Sequence, residues 1–394
     1  MADSTAFLSE FWEEKYLRQY IPGGGSKIKF VTGRPGSGKT WFLDHFAGAA
    51  EKDRYITISF SANDIWLNDF REFFLEILRH CSMEKILSGC ADQIIREMGY
   101  DPDAVPEGQT FMDMLSEQGA GDPMTRREIR DQLRRMFLAN PLMDNNFALA
   151  CSLLTGGILG YPVLESADRN LVLSWLSGDR TLKLSLIRTL GLTDKITRYN
   201  SRHMLRSLAE TVHAAGFPGM LITVDDLEIL QDKRGNETIR YTKLRREDTY
   251  ESIRQMIDDI DSMRYIMFVY GFDRALIDNE NAGLKSYQAL WMRIQNEIVS
   301  ERFNRFVDIA DMDRLAIQVM EPEDVVNMAR DMIRNLTEQG KLLNGSLLSA
   351  ETSGQEGDAS GGSFNITRAE EILNKARVSG IGLQALLLEE VCHD

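Results

Sequence analysis

The residues Gly33-Arg34-Pro35-Gly36-Ser37-Gly38-Lys39-Thr40 have types and a spacing that can hold phosphate. The pattern is G-x-x-x-x-G-K-T. Glycines at 33, 36 and 38 let the backbone turn tightly and aim N–H groups inward. The result is an anion nest at the N-terminus of the helix that should follow. Lys39 is expected to reach the β- and γ-phosphates of a nucleotide, and the Thr40 hydroxyl to ligate Mg²⁺. The expected nucleotide contacts are Gly33, Pro35, Gly36, Ser37, Gly38, Lys39, Thr40 and Trp41. A second constellation lies far along the chain. The apolar run Met220-Leu221-Ile222-Thr223-Val224 ends in Asp225-Asp226, with Glu228 close by. Asp225 is expected to hold the Mg²⁺ through water. The acid that follows usually polarises the attacking water and is usually glutamate. Here it is Asp226, one methylene shorter, and Glu228 is the other candidate.

These residues need elements to bring them together. Residues 27–32 alternate and are rich in β formers, so a strand should run into the glycine loop, and residues 40–46 have helical spacing. A second strand is expected over 55–60 and a helix over 69–81, with Phe70, Phe73, Phe74, Ile77 and Leu78 on one face. Alternating strands and helices indicate a parallel sheet with covering helices. A buried parallel strand puts its C-terminal carboxylates at the same sheet edge as the phosphate loop, which places Asp225 and Asp226 beside Lys39. Another buried strand is expected over 265–271; Tyr270, Gly271 and Asp273 occupy its end, where an amide or hydroxyl that senses the γ-phosphate would sit.

Composition sets limits. The chain has 394 residues, 43% hydrophobic and 27% charged, an ordinary globular profile. It shows no apolar run of bilayer length and no signal-peptide pattern. Its four cysteines form no C-x-x-C and its five histidines have no metal spacing. These features fit a reduced, cytoplasmic protein without structural zinc. The net charge of −15 argues against a surface coated in basic residues. Any DNA contact needs basic residues segregated onto one face, or the channel of an oligomer.

The rest of the chain divides by pattern. Residues 1–26 hold an amphipathic helix (Phe7, Leu8, Phe11, Trp12, Leu17) and a glycine turn. Residues 27–81 carry the phosphate-loop half of the core, and 82–200 read as a large helical insertion in which strand signals nearly vanish. Within it Thr125-x-x-Glu128 fits a capping box. Arg126, Arg127, Arg130, Arg134 and Arg135 then make a basic face, either a solvated helix paired with acids or a nucleic-acid contact. Residues 201–320 should carry the rest of the core. That half opens with a helix over 201–215. A charged loop follows over 231–249, with Arg240, Lys243, Arg245 and Arg246 as candidate contacts. A helix over 285–299 and a last strand over 315–319 close it. Residues 321–394 should form a small helical lid with a polar Gly/Ser-rich loop at 351–363, where Arg377 is a candidate to touch the nucleotide.

Several blocks together resemble the ATP-binding family of BREX anti-phage systems, which is related to the AAA+ and origin-recognition ATPases. They are Phe11-Trp12, Gly24-Gly25-Ser26-Lys27, Trp175-Leu176-Ser177-Gly178, and Met204-Leu205-Arg206-Ser207-Leu208-Ala209-Glu210. Ala215-Gly216-Phe217-Pro218-Gly219, Val224-Asp225-Asp226-Leu227-Glu228, Gly283-Leu284-Lys285-Ser286-Tyr287-Gln288-Ala289-Leu290 and Arg293 complete the set. The resemblance implies an AAA+-like P-loop ATPase with cofactors ATP and Mg²⁺. It also implies a homo-oligomer acting with DNA and with a helicase or other defence proteins, and no membrane. A compact member would suit a BREX-like system or one such as Shango. In AAA+ ATPases an arginine before the last core strand reaches a neighbour's ATP; Arg302 occupies that place. Two departures, Asp226 for glutamate and the unclear sensor residue, point to slow hydrolysis rather than to lost ATP binding. The two readings are an ATPase coupled to DNA engagement or partner loading, and a slow ATP-dependent switch or scaffold.

Overall fold

The structure is a computed structural model and describes residues 2–231, 239–295, 308–338, 366–379 and 383–393. The chain opens with α1 (Ala2–Trp12), which continues as a π-helical stretch, Glu13–Tyr20. The strand before the glycine loop is β1 (Ser26–Gly33), and the helix after it is α2 (Lys39–Lys52). Trp12 is fully buried and sets its indole edge-on to Phe42 at 5.4 Å and Phe46 at 5.7 Å, so the amphipathic first helix packs on α2. β2 (Ile56–Ser61) leads to α3 (Phe70–His80), capped by the Asp69 side chain.

From there to the next strand the chain is helical. It holds α4 (Met83–Glu97), α5 (Phe111–Glu117), α6 (Pro123–Leu133), α7 (Asn145–Leu159), α8 (Ser166–Leu176), α9 (Leu184–Arg188) and α10 (Ser201–Ala214). A π-helical turn, Arg134–Leu138, extends α6. The expected capping box at Thr125 is not the start of α6. Asp122 caps that helix, and its Oδ1 accepts the Thr125 N–H at 2.8 Å. A Pro at the first helical position, preceded by Asp, outcompetes the later Thr.

β3 (Met220–Asp225), α11 (Lys243–Asp259), β4 (Ile266–Asp273), α12 (Ala275–Asp278), α13 (Gln288–Ile294) and β5 (Ile309–Asp311) follow. The last helices are α14 (Met312–Val319), α15 (Pro322–Glu338), α16 (Ile366–Ser379) and α17 (Leu383–His393). Among the described residues the strands form one sheet, ordered β2-β3-β4-β1-β5, and every pairing is parallel. Alternate residues of one strand enter different cores. Ile222, Val224, Phe268 and Tyr270 join the larger cluster, with the helices between β2 and β3. Leu221, Met267, Val269 and Val31 join the smaller one, with Trp12, Phe42 and Phe46. Cover on both faces explains why β3 and β4 read as continuous apolar runs.

Three sequence expectations need correction. Residues 315–319 are not the last strand. That strand is the three-residue β5, and the apolar run belongs to α14. Asp311 accepts the N–H groups of Asp313 at 3.0 Å and Arg314 at 3.3 Å, and this cap starts a helix where periodicity over a short apolar run is ambiguous. The charged stretch around 243–249 is not a loop but the first turns of α11. Thr242 caps it, and Thr249, Tyr250, Ile253 and Met256 are buried at helical spacing. The helix expected over 285–299 is a 3₁₀ turn, Leu284–Ser286, followed by the short α13. Residues 296–307, with Arg302, and the Gly/Ser-rich stretch at 351–363 lie outside the described residues.

Candidate functional site

The parallel pairing of β1 with β4 and of β4 with β3 brings the sequence-distant residues to one edge. Gly33 lies opposite Asp273 in the first register, and Ser61 lies opposite Asp225 across β2 and β3. The glycine loop sits at this edge. Gly36 and Gly38 have φ of 80° and 90°, in the left-handed region, and open space lies where each Cβ would be. A Cβ on Gly33 would instead fall 2.3 Å from Ser37 Oγ, so side chains are excluded where the loop folds back on its strand. The Ser37 hydroxyl is buried and finds no hydrogen-bond partner among the described residues. An open glycine cradle, an unmatched buried hydroxyl and Lys39 at the head of α2 together suit an anionic phosphate chain.

Lys39 is largely buried. Its ammonium donates to the carbonyls of Gly33 (3.4 Å) and Arg34 (3.1 Å) and to Asp273 Oδ1 at 2.5 Å. Thr40 Oγ1 donates to Asp225 Oδ2 at 2.6 Å, so the expected metal pair is in contact. The other Asp225 oxygen accepts the Asp226 N–H at 2.9 Å. Gly271 makes room for this carboxylate: a Cβ there would lie 2.4 Å from Asp225 Oδ1 and 2.7 Å from Leu43 Cδ1. A hydroxyl, a carboxylate and phosphate oxygens are the hard donors that Mg²⁺ takes. Among the described residues no group of three or more His, Cys, Asp or Glu is arranged to hold a metal by itself.

The two acids expected near the attacking water differ. Asp226 adopts φ 62°, and its Oδ2 accepts the Ser61 hydroxyl at 2.6 Å. Asn63 in turn donates to the Ser61 oxygen from its backbone and its side chain, both at 3.1 Å. The short Asp226 side chain is therefore tied to the end of β2. Glu228 lies just beyond in a 3₁₀ turn, Leu227–Gln231, and its Oε2 accepts the Asp273 N–H at 3.1 Å. Burial pushes the Glu228 carboxyl above the usual range, opposed by backbone N–H groups and assisted by the charges of Asp273 and Asp226. Trp41 is half exposed on the outer side of α2 and stacks on His45, with centroids 4.9 Å apart.

Acids also brace the loop from the opposite side. Asp313 Oδ2 accepts the Arg34 N–H at 3.0 Å, and Arg274 Nη1 donates to Asp311 Oδ2 at 2.9 Å. The backbone of Arg274 reaches the Gly33 carbonyl at 2.9 Å. Sequence reasoning missed Ser61, Asp311 and Asp313. It saw Gly271 and Asp273 only as occupants of the sensor place, not as the space for Asp225 and the partner of Lys39; a glycine inside an otherwise bulky buried strand was the one local signal, since it marks a close approach. The Arg377 guanidinium donates to the Ile317 and Met320 carbonyls at the C-terminal end of α14, at 3.2 and 2.7 Å.

Among the described residues no helix is long and apolar enough to cross a membrane. Comparison with curated proteins finds no match. A family model described as BREX system ATP-binding protein BrxC/D matches residues 15–349, which takes in the glycine loop, β3, β4 and α14. With that match spanning most of its length, the chain belongs to the BREX system ATP-binding proteins.

Proposed function

We propose that the chain is an AAA+-like ATPase that binds and hydrolyses MgATP and couples turnover to engaging DNA or loading a helicase or other effector in anti-phage defence. The observation that carries this is the Thr40–Asp225 contact of 2.6 Å on the edge where Lys39 heads α2. Catalysis of this kind is positional and electrostatic. The glycine-loop N–H groups and Lys39 neutralise the phosphates. Thr40 and Asp225 would hold Mg²⁺, which supplies charge at the β- and γ-oxygens. Glu228 or Asp226 orients the water, and Arg302 of a neighbouring copy neutralises charge as the bond to the leaving phosphate breaks.

A second reading is a slowly hydrolysing switch or scaffold that recruits defence partners, with ATP binding as the signal. The Ser61–Asp226 bond favours it, because it directs the acid towards β2. Steady-state ATP turnover of the full chain, alone and with duplex or single-stranded DNA, separates the two. Lys39→Ala is the blank, and losing a charge-assisted contact of about 1.5–3 kcal/mol should weaken ATP binding by roughly ten- to a hundred-fold. Turnover raised by DNA and abolished in Glu228→Gln or Asp226→Asn supports the coupled ATPase and identifies the acid. ATP binding without turnover under every condition leaves the switch.

A further inference from the structure

The extended helix formed by α6 and its π-helical turn carries a local excess of positive charge. Residues 123–138 hold five arginines against two acids, in a chain of net charge −15. Two of the five are internally paired: Arg127 lies 3.8 Å from Asp131, and Arg135 lies 3.1 Å from Glu128. Arg126, Arg130 and Arg134 meet no carboxylate among the described residues. They recur every fourth residue, which on a helix is one row along one face. Four residues advance a helix by about 6 Å, so the row is roughly 12 Å long.

Two further features prepare this row for a ligand. The guanidinium carbons of Arg126 and Arg130 lie 5.7 and 5.8 Å from the centroid of the Tyr161 ring. Stacking on an aromatic face fixes the plane of a guanidinium while leaving its N–H edge free to donate. Beside the row runs an open groove of about 580 Å³, lined by Arg127, Arg130 and Arg134, with Pro162 opposite and the half-exposed Leu138 at one end. Among the described residues Asp131 is its one acidic lining residue.

We infer that this groove and its arginine row form a binding site for the phosphodiester backbone of a nucleic acid. A strand of a duplex presents a phosphate about every 3.4 Å along the axis, so a row this long meets three or four of them. Evenly spaced charges and planar guanidinium forks suit phosphate oxygens. The net charge of −15 disfavours a polyanion on much of the remaining surface. The inference rests on the DNA-coupled reading above and names where that contact is made. Single-stranded and duplex DNA share the backbone chemistry, and the test uses both.

The test is fluorescence anisotropy of the full chain with labelled 30-nucleotide single strands and duplexes, titrated between 50 and 200 mM salt. Each neutralised phosphate contributes about 0.9 to the log–log salt slope for duplex and about 0.7 for a single strand. Arg126/Arg130/Arg134→Ala should lower the slope by roughly two to three and weaken binding at least about ten-fold at the higher salt. The control Arg169/Lys183/Arg188→Ala removes equal charge from α8, from α9 and from the residue that precedes α9, and should bind like wild type. Arg134→Glu, at a residue that touches neither the ring nor an acid, repeats the test if the triple variant misfolds, and ATP affinity reports on folding. Equal DNA binding by wild type and the triple variant overturns the site and leaves the DNA reading standing. No binding of either DNA by wild type at 50 mM salt overturns both. A triple variant that keeps DNA but loses labelled poly-glutamate means the groove takes an acidic protein, which also overturns the inference.

Discussion

Lys39 divides its donors between two loop carbonyls and one carboxylate, and the carboxylate is the partner a triphosphate competes with. Asp273 and the β–γ phosphates carry like charge around one ammonium. At a near-surface dielectric, removing one such charge is worth about 1–2 kcal/mol. Asp273→Asn should therefore tighten ATP about five- to thirty-fold by titration calorimetry, while thermal stability falls because a buried lysine loses its counter-charge. Weaker ATP binding would mean that Asp273 helps hold the nucleotide. Lys39 and Thr40 were legible because their motif fixes their spacing along the chain, and Asp225 because it ends an apolar run. Asp273 was not, because its pairing with Lys39 depends on β1 meeting a strand more than two hundred residues later. A second lysine makes a separate prediction. Lys29 is fully buried between the Trp12 and Tyr16 rings, and burial brings it down to about 8, only partly offset by Asp308. Its folded value lies below the unfolded one, so from about pH 8 to 10.5 the unfolded chain binds more protons and stability rises with pH. Below that window the folded state bears the full desolvation penalty, on the order of 3 kcal/mol. Lys29→Met leaves Asp308 its 2.8 Å partner Lys27, so the variant should melt above wild type at pH 7 and lose that lead by pH 10. A gap that does not change with pH would show that the charge is not its cause.

At the scale of elements, β4 does more than fill the sheet. It lies between the loop-bearing β1 and the acid-bearing β3, and its Gly271 gives the Asp225 carboxylate the space to reach Thr40. Gly271→Ala should displace that carboxylate, cost about 1–3 kcal/mol in stability and reduce ATP turnover. Gly48→Ala is the matched control. Its Cβ would meet nothing within 4 Å in α2, so turnover should hold and stability should rise by up to about 1 kcal/mol. Equal turnover in the two variants would mean that Asp225 has slack. The strands β3 and β4 could be read from their apolar runs because both faces are covered, and β1 from its alternation. The end of the sheet could not. Ile309–Asp311 is too short to show alternation, and the apolar run after it folds as α14 because the Asp311 side chain caps it. The charged start of α11 misled for a related reason. Its buried residues begin only at Thr249, so the first turns look like a loop.

The molecule as a whole joins the loop edge to its C-terminal helices through α14. Asp313 near its start accepts the Arg34 N–H, while the carbonyls at its end accept Arg377 of α16. α15, α16 and α17 bury their own cluster around Val325, Ala329, Leu373 and Leu387. That this tail is helical was legible from apolar spacing. Its attachment to the phosphate loop was not, because the Asp313 and Arg377 contacts that link them through α14 have no periodicity. The sheet order has a consequence for how the protein is made. Translation delivers β1 and its glycine loop before β2 and β3, yet both neighbours of β1 in the sheet, β4 and β5, come only after them. Until they emerge, the nascent chain carries a phosphate motif on a strand with both edges open. Pairings this distant close late and slowly. Stalled chains ending before residue 265 should gain no protease protection from ATP, whereas chains extended past Asp311 should gain it. The nucleotide can then act as a folding ligand only once β4 and β5 have been synthesised.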